Sequence, residues 1–151
     1  MISSGKYNKL ARYVFFLGLA VSVIVPLIFY KSFNKIVYAE PAKATADNSN
    51  IMFNVDQCEY RNGKLSIRGW ATPKEGVGDI MVFVNIDGKT LKLHTGQIKR
   101  VDVSTAMNKP GLYDKSGFSA SINIEKEAKS IETLIQISKD NHIYLVKHDC
   151  K

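Results

Sequence analysis

An uncharged apolar run near the N-terminus constrains this chain more than any other feature. It covers residues 13–29 and contains 17 residues. A helix of that length rises about 26 Å, which nearly crosses a hydrocarbon core of about 30 Å. Tyr13 and Tyr30 stand at its two ends, where interfacial aromatic residues are typical. The sequence therefore predicts a transmembrane signal-anchor helix at residues 13–30, preceded by a short cytoplasmic N-terminus at residues 1–12.

Basic residues flank the run on both sides, so charge alone favours one orientation only slightly. Three precede it and two follow it closely: Lys6, Lys9 and Arg12, then Lys31 and Lys35. The positive-inside rule counts such residues near the ends of a span. The small excess before the run favours a cytoplasmic N-terminus, with the rest of the chain on the far side of the membrane.

Two cysteines, Cys58 and Cys150, lie near opposite ends of the segment that follows. A bridge between the two ends is common in small exported domains and requires an oxidising compartment. We predict a Cys58–Cys150 disulfide, in the extracytoplasmic domain of a single-pass membrane protein. A zinc site or a nucleophilic cysteine near His148 is disfavoured, because the two cysteines are far apart in sequence and no close ligand pair accompanies them.

A cleavable signal peptide is the alternative interpretation of the N-terminus. Val37, Tyr38 and Ala39 have the small-x-small form of a cleavage site. The segment between the apolar run and Ala39 is long for a signal peptide and contains two lysines. We favour a retained anchor and keep a secreted or periplasmic form, cleaved near Ala39, as the alternative.

Residues 31–50 change in composition, and the remainder is long enough for one small domain. The stretch is rich in Ala, Asn, Asp, Ser and Pro without an apolar period, which predicts a linker that holds the domain off the membrane. Residues 51–151 then form the extracytoplasmic domain.

The net charge of +7 divides into +4 before residue 51 and +3 after it. No cluster of basic residues interleaved with aromatics follows, so nucleic-acid binding is excluded.

Alternating apolar residues predict β-strands throughout the domain. Ile80, Val82 and Val84 share one face of a run whose other face carries Met81 and Phe83, which indicates a strand buried on both sides. Hairpin turns are predicted at Asn62-Gly63, Asp87-Gly88 and Lys139-Asp140-Asn141. About seven strands follow, near residues 52–60, 64–71, 79–87, 89–95, 117–124, 131–138 and 142–149. The predicted fold is an all-β sandwich or small barrel, with an irregular crossing at residues 96–116.

Trp70 follows Gly69, which interrupts the alternation of its strand. Glycine within a strand often marks a bulge. We interpret Trp70 as the central core aromatic residue, with ligand stacking as the alternative.

The charged stretch at residues 125–130 predicts a short helical turn, and Glu125 and Glu127 are interpreted as solvated rather than as a glycosidase pair.

Three short segments resemble a β-sandwich accessory domain of bacterial cell-envelope and surface-polysaccharide proteins. They are Ile67-Arg68-Gly69-Trp70-Ala71, Arg100-Val101-Asp102-Val103 and Ser116-Gly117-Phe118, with Asp87-Gly88 between the first two. The resemblance implies an immunoglobulin-like sandwich without catalytic apparatus, of a kind found beside glycosyltransferases and related envelope enzymes. The family commonly has Asp after Gly-Trp-Ala, whereas this chain has Thr72-Pro73.

Four residues are candidates for ligand binding or for clamping a loop: Trp70, Arg100, Asp102 and Phe118. A carboxylate two positions after an arginine pins an irregular loop through charge-assisted hydrogen bonds, so we interpret Arg100 and Asp102 as a loop clamp, with ligand contact as the alternative. We assign no catalytic residue, metal ligand or cofactor.

The anchor, the cysteine pair and the resemblance together predict a binding or accessory domain of the bacterial cell envelope, not an enzyme. A single span is expected to anchor it in the inner membrane, with the domain in the periplasm. Its expected partners are the membrane and either an envelope protein, such as a membrane enzyme, or a surface polysaccharide. The alternative is a small membrane-tethered inhibitor, or a phage-type exclusion protein, that acts on a cell-wall hydrolase or an entry step.

Overall fold

The computed structural model describes residues 4–124 and 130–150, with side chains from residue 9 onward. The predicted helical turn at residues 125–130, with Glu125 and Glu127, lies outside the described residues except for Ser130. The described chain divides between Lys35 and Ile36 into two compact units.

The first unit is one helix, α1 (Ser4–Phe33), which contains the predicted span. Within Lys9–Phe33, the most apolar window of 18 residues has a mean hydropathy of 2.3, and none of that window is buried by the protein. The helix is therefore long and apolar enough to cross a membrane, a property that it shares with signal sequences.

The second unit is built mainly of β-strands. Its described residues form β1 (Val37–Tyr38), β2 (Ile51–Arg61), β3 (Lys64–Pro73), β4 (Asp79–Ile86), β5 (Lys89–Lys92), β6 (His94–Ile98), β7 (Gly117–Asn123), β8 (Ile131–Lys139) and β9 (His142–Cys150). A 3-10 turn (Asn48–Asn50) precedes β2, and the short helix α2 (Val101–Ala106) follows β6. The expectation of mostly β structure is confirmed, but the described strands number nine instead of about seven.

One additional strand arises because the predicted strand at 89–95 divides at Leu93. The Leu93 N–H donates to the carbonyl of Val82 at 2.9 Å, which continues the pairing with β4. The next ladder position on β4 is filled by a side chain, since Thr95 Oγ1 accepts from the Val82 N–H at 3.1 Å. The backbone beyond Leu93 is thereby released from β4 and pairs with β7 in the other sheet.

Two antiparallel sheets pack face to face, in the order β1-β5-β4-β8-β9 and β2-β3-β7-β6. Their inner faces share one core that includes Leu65, Ile67, Val82, Val84, Phe118, Ile122, Ile135 and Ile137. Alternate residues of each strand point inward, as the period of two requires. The sandwich-like arrangement follows directly from the apolar alternation in the sequence.

The three predicted hairpin turns are confirmed by their backbone angles. Asn62 and Gly63 have φ values of 52° and 75°, and Asp87 and Gly88 have values of 50° and 79°. Asp140 and Asn141 also have positive φ, at 47° and 63°. Two successive left-handed residues are characteristic of the type I′ turn, which matches the twist of the strands that it joins.

The disulfide between Cys58 and Cys150 is present and joins the two sheets at one side. Cys58 lies on β2 and Cys150 on β9, and each of these strands is at the edge of its sheet. On the other side of the sandwich, the chain passes directly from β5 to β6 through Leu93. The two sheets are therefore connected covalently along both open sides of the sandwich, by the disulfide on one side and by the main chain on the other.

Most of the segment interpreted as a linker belongs to the folded unit. β1 pairs with β5 at one edge of the five-stranded sheet. Farther along, the Ala42 N–H donates to Gln136 Oε1 at 2.7 Å, and the Thr45 N–H donates to the carbonyl of Ile143 on β9 at 2.9 Å. The segment therefore crosses the outer face of this sheet, because its backbone amides find partners there, instead of serving as a free spacer.

This covering explains why β4 and β8 are buried on both faces. Phe83 and Gln136, which point away from the core shared by the sheets, are each only 3 % exposed. The prediction that the strand around Phe83 is buried on both sides is confirmed. The outer face of the four-stranded sheet differs, because its central strands carry many exposed or half-buried polar residues there.

Candidate functional site

The outer face of the four-stranded sheet carries the candidate site. Along β3, Leu65 and Ile67 point into the core, whereas Ser66, Arg68 and Trp70 alternate with them and point outward. This alternation follows from the pleat of the strand. The polar face was therefore readable from the sequence, although we did not single it out there.

Trp70 is not the central core aromatic residue, and that expectation is wrong. It is half-buried and lies on the outer face, in register with Asn54 of β2 and Gly117 of β7. Phe118 is the large core aromatic residue of this sheet, with no exposed surface. The alternation of β3 continues through Gly69, so Trp70 points to the side of the sheet opposite the core.

Gly69 makes the room that Phe118 occupies. A Cβ atom built on Gly69 would lie 3.1 Å from Cζ of Phe118 and would collide with the backbone carbonyl oxygen of Asn54. The pairing of β2 with β3 shifts at this point, between Val55 and Gln57. The bulge that Gly69 suggested is therefore present, but the extra residue is on the neighbouring strand β2.

A shallow groove of about 450 Å³ runs over this outer face. Its lining comes from β2, β3, β7 and the first hairpin turn, and consists of polar or charged residues: Gln57, Glu59, Arg61, Asn62, Lys64, Ser66, Arg68 and Asn123. Hydroxyl, amide and charged groups thus face a common open space. Such a surface is suited to a ligand rich in hydrogen-bonding groups.

Strand register orders these groups in successive rows across the sheet. In the first row Lys64 pairs with Arg61 of β2 and Asn123 of β7, and two residues farther along Ser66 pairs with Glu59. Trp70 lies two residues beyond Arg68 on the same face of β3. The groove and the tryptophan therefore follow one another along a single strand.

A clamp centred on Arg100 stands at the tryptophan end of this face. Arg100 donates from Nε to Asp102 Oδ1 at 2.9 Å and from Nη2 to Asp102 Oδ2 at 2.8 Å. Its third nitrogen, Nη1, donates to Asp56 Oδ2 at 2.5 Å. Asn54 Nδ2 in turn donates to Asp56 Oδ1 at 2.7 Å. The guanidinium is thus held by two carboxylates, one of them at the bulge of β2.

Arg100 and Asp102 each stabilise the ionised form of the other. The hydrogen bond from Arg100 lowers the pKa of the Asp102 carboxyl below its ordinary value. The hydrogen bond with Asp102 also raises the pKa of Arg100, against the opposing effect of its partial burial. Charge-assisted bonds of this kind are stronger than neutral ones. The clamp therefore neutralises Arg100 locally and leaves it less available to a ligand than an unpaired arginine.

Glycine at position 117 admits the stem of Arg100 onto the sheet. A Cβ atom on Gly117 would lie 2.5 Å from Cγ of Arg100 and 2.6 Å from Cγ1 of Ile98. The Arg100 N–H also donates to the carbonyl of Asp114 at 2.7 Å. Arg100 is consequently fixed through both its backbone and its side chain, where α2 begins.

Sequence reasoning brought together Arg100 and Asp102 but missed Asp56 and the groove. Asp56 lies 44 positions before Arg100, and no local pattern connects them. Phe118 is placed in the core, away from Trp70, which lies on the opposite face of the sheet.

Among the described residues, no group of three or more His, Cys, Asp or Glu side chains is arranged to hold a metal ion.

Comparison with known proteins adds no identification. No protein-family model matches the chain, and neither the curated proteins nor the solved structures yielded a match. The function must therefore be inferred from the geometry of the chain itself.

Proposed function

We propose that this protein is a membrane-anchored accessory domain of the bacterial cell envelope that binds surface or cell-wall polysaccharide. The observation that carries the proposal is the polar groove on the four-stranded sheet, continued along β3 by the half-buried Trp70. A polysaccharide presents many hydroxyl groups together with flat apolar faces on its sugar rings. The groove offers partners for the hydroxyls, and an indole ring offers a flat apolar surface for a sugar face.

The composition of the groove favours binding over hydrolysis. Glycoside hydrolysis ordinarily needs two carboxyl groups on either side of the scissile bond. Among the described lining residues, Glu59 is the single carboxylate. The nearby pair Asp56 and Asp102 is engaged by Arg100, which holds the carboxyl of Asp102 in its ionised form and unsuited to general acid catalysis.

The strand order supports an immunoglobulin-like domain. In immunoglobulin domains one sheet has the order A-B-E-D, and the other contains G-F-C and is extended by C′ in some types. The order β2-β3-β7-β6 corresponds to A-B-E-D, and β9-β8-β4-β5 corresponds to G-F-C-C′. In this correspondence β1 is an added edge strand, and the disulfide joins the first and last strands instead of B and F.

The position of β1 supports a retained anchor over a cleaved signal peptide. Val37 and Tyr38 pair with Lys92 and Leu91 of β5, and the Ala39 N–H donates to the carbonyl of Thr90 at 3.3 Å. Cleavage after Ala39 would remove this strand from the sheet. We therefore favour a retained anchor, and we propose that α1 crosses the inner membrane once with the folded unit in the periplasm.

Purification of the full-length tagged protein in a mild non-ionic detergent, followed by mass spectrometry of bound glycan and protein, tests the proposal. We expect the wild type to retain envelope glycan and Trp70→Ala to lose most of it. Trp70→Phe, which keeps an aromatic ring, should retain part of the binding. Tyr38→Ala is the matched control, because Tyr38 is an exposed aromatic residue on the other sheet.

Two results would overturn the proposal. The first is equal glycan recovery with wild type and Trp70→Ala, provided that both variants melt as folded proteins. The second is co-purification of a cell-wall hydrolase or a phage component without glycan, which would favour the membrane-tethered inhibitor.

A further inference from the structure

The charges that line the groove are unbalanced. Arg61, Lys64 and Arg68 contribute three positive groups, and Glu59 contributes one negative group. All four residues are exposed on the outer face of the sheet. The described lining of the groove therefore has an excess of positive charge, which attracts anions at short range.

The three cations are not neutralised within the described part of the protein. None of Arg61, Lys64 and Arg68 forms an ion pair with a described residue. Arg100 provides the contrast on the same face, since two aspartates occupy its guanidinium. Within the described residues, Arg100 is thus ion-paired, whereas Arg61, Lys64 and Arg68 have no carboxylate partner.

Spacing along β3 suits an extended ligand with several charges. Lys64 and Arg68 are four residues apart on the same face, which places their Cα atoms about 13 Å apart at the usual strand rise. Ser66 lies between them, with Ser121 of β7 in register beside it. Hydroxyl groups thus separate Arg68 from the adjacent pair Arg61 and Lys64, whereas a single phosphate site would require all three cations to converge.

We propose that the groove recognises an acidic oligosaccharide, whose carboxylate or phosphate substituents pair with Arg61, Lys64 and Arg68 while its hydroxyls bind the groups between them. This inference rests on the proposed glycan-binding function and specifies the class of glycan. Arginine forms bidentate pairs with carboxylate and phosphate alike, so both substituents belong to the same recognition chemistry.

Titration calorimetry of the full-length protein in non-ionic detergent tests this assignment with matched probes. The acidic probes are a galacturonic acid hexamer, which carries carboxylates, and a glycerol phosphate oligomer, which carries phosphates. The neutral probe is the fully methyl-esterified galacturonic acid hexamer, which keeps the backbone and most hydroxyls of the acid but loses its charge. We expect at least one acidic probe to bind, and added salt to weaken that binding.

Variants locate the binding in the groove. The double variant Lys64→Gln/Arg68→Gln should weaken binding of the acidic probe about tenfold, as expected for the loss of two exposed charge pairs. Lys89→Gln, at an exposed lysine of β5 in the other sheet, should leave binding unchanged. Circular dichroism melts confirm that each variant remains folded.

The outcomes separate this inference from the proposed function. Equal affinity for the hexamer and its ester, with loss of both in Trp70→Ala, would overturn the acidic specificity and leave glycan binding intact. No binding to these probes, together with no glycan in the detergent purification, would overturn both. Groove-dependent binding to phosphatidylglycerol vesicles and not to the oligosaccharides would also overturn the inference, in favour of an anionic membrane surface.

Discussion

Nη1 of Arg100 donates to Oδ2 of Asp56 at 2.5 Å and thereby joins the two edges of the four-stranded sheet. Asp56 lies in β2, at one edge, and Arg100 follows β6, at the other. The same guanidinium holds Asp102 in the first turn of α2. One side chain therefore fixes the loop after β6 relative to the bulge of β2, beside the candidate binding face.

A double-mutant cycle with Arg100→Gln and Asp56→Asn should show a coupling free energy of about 1 kcal/mol, because the pair is partly exposed and charge-assisted. Urea unfolding of the wild type, both single variants and the double variant measures it. Asp87→Asn, in an exposed hairpin turn that tolerates Asn, is the control. A coupling energy near zero would show that solvent screens the pair completely.

Acidification should weaken the clamp. The folded-state pKa of Asp102 lies below its ordinary value because Arg100 donates to it. A carboxyl with a lowered pKa stabilises the fold fully above its unfolded pKa of about 3.9, and this contribution is lost as the pH falls through the lower folded value. We expect wild type to lose more stability than Asp102→Asn between pH 5 and 2.

Chemical denaturation at a series of pH values measures this difference. Asp47 and Asp140 also have lowered pKa values, from hydrogen bonds with Ser49 and Lys139, so part of the acid sensitivity must persist in Asp102→Asn. Parallel pH profiles of the two proteins would contradict the role of Arg100 in holding the Asp102 carboxylate.

Gly69→Ala should destabilise the domain by about 1 to 3 kcal/mol, the usual cost of overpacking. The added methyl group would collide with the Asn54 carbonyl oxygen and would press on Phe118. Gly96→Ala, in β6 of the same sheet, is the matched control, because its nearest contact would be Ser119 O at 4.0 Å. Thermal melts of both variants provide the comparison, and equal effects would argue against a close approach at Gly69.

Truncation of Phe118 and of Trp70 to alanine should distinguish the core residue from the surface residue by the stability that each variant loses. Phe118→Ala should cost about 3 to 5 kcal/mol, since Phe118 is fully buried. Trp70→Ala should cost less, because the side chain is half-buried on the outer face. Urea unfolding curves test the order, and a larger loss from Trp70→Ala would return Trp70 to the role of a packing residue.

Removal of the disulfide should lower the free energy of unfolding by about 4 to 5 kcal/mol in the chain-entropy model, since the bridge joins residues 92 positions apart. Cys58→Ser/Cys150→Ser is the variant to compare with the oxidised wild type under non-reducing conditions. A reducing agent should bring the wild type to the stability of the variant. Equal stability of oxidised and reduced wild type would contradict a structural role for the bridge.

Much of the fold could be predicted because its determinants are local. The pairs Asn62-Gly63 and Asp87-Gly88 specify tight turns through their tolerance of positive φ. Apolar alternation around Ile80 and Val82 specifies a strand with a defined inner face. The division of the strand at 89–95 was missed because Thr95 ends the pairing with β4 through a side-chain hydrogen bond, which requires knowledge of the partner strand.

The candidate site was less predictable because it is assembled from distant segments. Arg100 and Asp102 are two residues apart and were recognised together, whereas Asp56 joins them only through a bulge in another strand. The outward facing of Trp70 follows from the alternation of β3, which was hard to recognise because Gly69 occupies an inward position without a side chain. The cations Arg61, Lys64 and Arg68 become one surface only when β2 pairs with β3.

The sequence by itself determined the apolar helix, the predominance of β-strands, the turns and the cysteine pair, because each depends on residue type and near-neighbour spacing. Tertiary structure alone decided that the chain around Ala42 covers one sheet, that Phe118 and not Trp70 fills the core, and that Asp56 completes the clamp. The physical reason is that packing and charge pairing act between atoms close in space, whatever their separation along the chain.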